Sequence, residues 1–184
     1  MRAATVRPAV PREVTAMDCK LRDRFAVIGL GSPIMTDDAV GLKIAQKVED
    51  LGLDDVDTMQ EAIGGLEIIP LIRGYRFVIV ADAIQTREHP PGTVLIYDPD
   101  DFEDTVGNTF AHDINLATAL KIGKQMDAAT MPEKVMFVAV EVADIITMGE
   151  TMTAEVEAAV GPATNAIMYL MDNLRCPDGT GRTA

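Results

Sequence analysis

Short apolar runs of strand length alternate along this chain with stretches whose apolar residues return every three or four positions. That alternation predicts a three-layer α/β domain: about five strands in a twisted, largely parallel sheet with helices on both faces. The first strand falls at residues 24–30, and a helix follows over 38–51, where Val40, Ile44, Val48 and Leu51 form one apolar stripe. A weaker strand over 56–60 has Asp55 and Asp57 beside Val56 and belongs at an edge. After Gly64-Gly65, residues 66–72 read as a short helix ended at Gly74, and 76–81 as a central strand closing on Asp82. Residues 93–97 make another short strand, 113–126 an amphipathic helix, and 134–142 the last strand. The closing helix covers 153–174, with a kink or break expected at Gly161-Pro162, because proline cannot donate its backbone hydrogen bond.

With 184 residues, 48% of them hydrophobic, the chain suits one well-packed domain, placed at 23–175. Residues 1–22, with Arg2, Arg7, Arg12 and two prolines, read as a loose extension without the apolar core of a signal peptide, and 176–184 as a mobile tail. The formal charge of −13 disfavours a nucleic-acid partner, and no cluster of Lys and Arg offers an exception. Cys19 and Cys176 match no paired-cysteine spacing, which points to a reducing cytoplasm. The apolar runs fall far short of the roughly 20 residues that cross a bilayer, so no membrane partner is expected.

The chemistry concentrates in three places. Strand residues 25–30 pass through Gly29-Leu30-Gly31 into a helix that opens on Asp37-Asp38, at the end of a parallel strand where such sheets keep their sites. A dinucleotide fingerprint would need Gly or Ala at position 34, where Ile34 stands, and two acids would repel phosphate. Helix capping accounts for one of these acids. Asp82 closes an apolar run, where an ionised carboxylate must be solvated, paired or liganded; a turn, or a pair with Arg76 or Arg87, would also serve. His112 opens a helix, whose positive end favours the neutral imidazole a metal needs, although a lone histidine is more often an ordinary loop or capping residue. His89, in a polar loop, receives no role, nor does the acidic run that includes Asp98, Asp100, Asp101, Glu103 and Asp104. Serine-elbow, zinc-helix and cysteine-protease patterns are missing, so any hydrolysis must use carboxylates or a metal. Two aspartates and one histidine suit a borderline divalent ion such as nickel, zinc or iron.

Taken together, the segment Gly29 to Gly41, then Val80-Ala81-Asp82-Ala83, then His112-Asp113, resembles the hydrogenase maturation endopeptidases. The resemblance runs in order from about Phe25 to Met171, and Gly64-Gly65-Leu66 and the link from Ala143 into Thr153-Ala-Glu-Val156 belong to it. It implies that Asp38, Asp82 and His112 form the metal-binding and catalytic site. It further implies an endopeptidase that removes the C-terminal extension of a nickel-iron hydrogenase large-subunit precursor after nickel insertion. The nickel is supplied by that precursor and is no resident cofactor, and Asp37 is at best a supporting residue. Ser32 stands where many members have Asn, and Asp38 where several have Glu. A rival reading uses the same three side chains without hydrolysis, as a non-catalytic nickel and precursor chaperone; a third, a small nucleotide-binding α/β protein, is weakened by Ile34 and the paired acids.

Overall fold

The structure, a computed structural model, describes residues 24–99 and 114–175. The expected extension, tail and two cysteines, most of the acidic run, and His112 lie outside the described residues.

Strand β1 (Phe25–Leu30) is buried along its whole length, as an apolar run in the middle of a parallel sheet must be. It leads through a 3-10 turn at Thr36–Ala39 into α1 (Val40–Glu49). Then come β2 (Val56–Glu61), a second 3-10 turn at Gly65–Ile68, α2 (Ile69–Ile72), β3 (Phe77–Ile84) and β4 (Val94–Tyr97). Helix α3 (Ile114–Asp127), β5 (Lys134–Glu141) and α4 (Ala154–Arg175) complete the described chain. The sheet order is β2-β1-β3-β5-β4, parallel except for the antiparallel β4–β5 pair at one edge. The weak strand with its flanking acids does lie at an edge, as its pattern required.

Side chains of a strand alternate between the two faces, and each face has its own core. On one, Val27, Ile79, Val138 and Val140 meet Ile44 of α1 and Ile167 of α4. On the other, Ile28, Val78, Val80 and Phe137 meet Ile72 of α2 and Leu120 of α3. The sandwich of helices around a five-stranded sheet is therefore the architecture the periodicity predicts.

Four local expectations are corrected. The first helix is not regular from residue 38, because its opening turn is 3-10, and Leu51 lies past its end with 49% of its surface exposed instead of joining the stripe. The segment over 66–72 is likewise a 3-10 turn followed by a single helical turn. Strand β3 does not stop before Asp82: Asp82, Ala83 and Ile84 pair with Ala139, Val140 and Glu141, so the carboxylate sits inside the ladder. Of the kink or break expected at Gly161-Pro162, the break is absent: helix α4 runs through Pro162. Pro162 and Ala158, whose carbonyl loses its donor, both face solvent, where water supplies the missing bond.

Candidate active site

The carboxyl end of the sheet is built by close approach of backbone to backbone. A Cβ on Gly41 would lie 2.2 Å from the Leu30 carbonyl oxygen and 2.4 Å from that of Ala81, so the first turn of α1 rests directly on the end of β1 and on the body of β3. Gly31, at φ 141°, faces the Asp38 carbonyl oxygen at a distance, 1.9 Å from where its Cβ would be, that excludes every other residue. The room these glycines leave is filled by the chain's own carbonyls, which is why the Gly-x-Gly turn is no phosphate cradle. It serves to press the two acids against the central strands.

Asp38 is buried, and its Oδ2 accepts the backbone N–H of Ser32 at 2.7 Å, closing the turn on itself. Asp82 is 1% exposed in the central strand, and its Oδ1 accepts the N–H of Ala83 at 2.8 Å. By strand alternation it lies on the face of Val78 and Val80, the side covered by α3. Of the arginines weighed as counter-ions, Arg76 donates to Glu133 at 2.8 Å, and Arg87 is exposed. Both Asp38 and Asp82 thus stand at the same end of the sheet, on adjoining segments. His112 lies outside the described residues, two positions before α3 begins. Among the described residues no three carboxylate, imidazole or thiol groups gather as a cation-holding cluster. His89 is exposed, in keeping with its lack of a role.

The neighbour Asp37 behaves differently from a helix cap. Its 3-10 turn has no side-chain cap. Fully buried, Asp37 instead accepts backbone N–H groups from across the sequence: Thr153 at 2.7 Å on Oδ1, and Asp144 at 3.1 Å and Ala143 at 3.3 Å on Oδ2. Thr36 reinforces this, its hydroxyl donating to the Thr147 carbonyl at 2.6 Å and its N–H to the Gly149 carbonyl at 2.9 Å. Thr36 has φ 45°, an unusual conformation for a β-branched residue, of a kind that persists only where surrounding bonds enforce it.

Glu141 was not singled out by the sequence. It is 1% exposed at the end of β5 and accepts the Thr86 hydroxyl at 2.6 Å and the Arg87 N–H at 2.8 Å, fixing the loop that follows β3. Its register partner is Ile84, two residues beyond Asp82 on the same face. An acid ending the run Val138-Ala139-Val140 is the signal that would have found it, the same signal that marks Asp82.

A family model for hydrogenase maturation protease matches residues 42–169, more than half of the chain, a span that holds Asp82 and His112 and opens just after Asp38. This chain belongs to the hydrogenase maturation protease family. It is a peptidase. The hydrogenase 2 maturation protease of Escherichia coli is 26% identical over 148 residues, 79% of this chain and 88% of that one. Among solved structures, the hydrogenase maturating endopeptidase HybD from E. coli superposes with a TM-score of 0.67 at 25% identity, covering 80% of this chain and 91% of its own. The fold is shared as well by the [NiFe] hydrogenase maturation protease HybD of Thermococcus kodakarensis, with a TM-score of 0.65, 22% identity and coverage of 80% and 98%. No helix of the described residues is long and apolar enough to cross a membrane.

Proposed function

We propose that this protease removes the C-terminal extension of a nickel-iron hydrogenase large-subunit precursor once nickel has been inserted, and that Asp38, Asp82 and His112 engage the nickel the precursor carries. The observation that carries this reading is Asp82, a carboxylate held almost wholly out of water in the central strand beside the turn that presents Asp38. A carboxylate held this dry and in one place is a common feature of active sites. Family membership supports peptide hydrolysis, and the names of the relatives support a hydrogenase precursor as the substrate. The precursor's nickel orients the cut. The protease's part is to bring carboxylate oxygens to that ion from a rigid frame, with a carboxylate accepting a proton from the attacking water.

The test compares nickel-loaded with nickel-free precursor by intact mass. The loaded form is expected to lose its extension and the empty form to stay whole; equal cutting of both would reject nickel gating. Asp38→Asn, Asp82→Asn and His112→Ala are each expected to slow cleavage by about 100-fold or more. Tight complex formation with no loss of mass would favour the chaperone reading.

A further inference from the structure

We infer that Asp37 is a positioning residue: it clamps the 143–153 segment to the acid turn and so fixes where Asp38 stands. The inference rests on Asp38 acting in the site proposed above. Its basis is the way the turn is held. Four residues of 3-10 helix do not hold their own shape, since each such turn has poor hydrogen-bond geometry and this one has no cap. Thr36 inside it is strained. What holds the turn is its partner segment, through the three amides on Asp37, the Thr36 hydroxyl on Thr147, and a paired Met35–Gly149 bridge in which the Gly149 N–H also reaches the Ile34 carbonyl at 3.0 Å. Gly149 is part of the fit, because a Cβ there would sit 3.2 Å from the Thr36 hydroxyl oxygen.

Asp37 is the piece that cannot be exchanged. A fully buried carboxylate is compensated by charge-assisted bonds, and three N–H donors converge on its two oxygens. Asparagine in its place keeps the shape but turns one acceptor into an NH2 group facing amide donors. The turn then loses its anchor on one side. Asp38 follows directly in the chain, and its own bond to Ser32 reports its place.

That bond supplies a readout independent of cleavage. Amide hydrogen exchange in Asp37→Asn is expected to rise at Ala143, Asp144 and Thr153, and also at Ser32, which touches Asp38 and not Asp37. Faster exchange confined to the first three, with Ser32 unchanged, would overturn the inference. In parallel, kcat for nickel-loaded precursor is expected to fall at least tenfold with KM little changed. Ile167→Ala, a cavity in the body of α4, serves as a control for lost stability; equal kcat in the two variants, measured well below both melting temperatures, would reduce Asp37 to a merely structural role. Asp38→Asn is run alongside. If it cuts at full rate, the site reading itself fails; if it is inactive while Asp37→Asn matches the control, only the positioning role fails.

Discussion

The two ends of the sheet treat their acids in opposite ways. At the amino end, carboxylates sit half in water and face cations: Asp57 receives Arg24 at 2.8 Å, Glu133 receives Arg76, Asp98 receives Lys134, and Asp55 receives Arg175. Aromatic rings add to the arrangement, with the Arg175 guanidinium 5.1 Å from the Phe25 ring centroid. At the carboxyl end, Asp37, Asp38, Asp82 and Glu141 are all buried, and their described bonds come from backbone amides and a hydroxyl. Exposed pairs are adjustable and weakly stabilising, whereas dry carboxylates held by fixed dipoles keep one geometry. The lesson is that this fold places its tolerant charges at the end where its parallel strands begin and its exacting ones at the end where those strands finish.

The contrast breaks most visibly in activity. Asp82→Asn should slow precursor cleavage by about 10²–10⁴-fold, a loss far larger than any change in its melting temperature accounts for; a loss of activity that merely follows lost stability would mean the acid is chiefly structural. Next in size is Gly41→Ala, whose Cβ has no room between two carbonyls. It should destabilise by about 2–3 kcal/mol, measured by urea unfolding, and lose activity with it. Glu141→Gln keeps the volume while weakening the bonds from Thr86 and Arg87, and should cost about 1–2 kcal/mol.

The smallest effects belong to the amino end. Asp57→Asn should cost less than about 1 kcal/mol and leave cleavage unchanged. Its pH dependence sharpens the comparison. The Arg24 guanidinium holds the Asp57 carboxyl below the ordinary carboxylate range, against the opposing pull of burial and with help from the Tyr75 hydroxyl. A lowered folded-state value means that the contribution is complete above the unfolded value, near 3.8, and lost as pH falls through the folded one. Melting temperature followed from pH 6 down should therefore drop less steeply in Asp57→Asn below about pH 4 than in the parent. On the alkaline side, burial first and then the bond to Asp57 push Tyr75 up to about 12.

Much of the fold was legible because strands and helices announce themselves by period, and the edge position of β2 followed from its flanking acids. Where the reading slipped, the cause was local. Asp82 looks like a terminus because a carboxylate interrupts an apolar run, yet the ladder to β5 carries it inside. Pro162 looks like a break, but its lost bond faces water. Asp38 and Asp82, the acids of the proposed site, could be named from their context, while the bonds of Asp37 could not. Its donors are backbone amides 106, 107 and 116 residues away, and a backbone amide has no letter in a sequence.

That distance also orders events in time. The turn that carries Asp38 is made near the beginning of the domain, but the last of the groups that brace it, the Thr153 amide, emerges after every described strand. Long-range contacts of this kind form late, once local elements have condensed. A chain still being synthesised therefore lacks the Thr153 amide on Asp37, and the acid turn is fully braced only when the helix that follows is ready to dock.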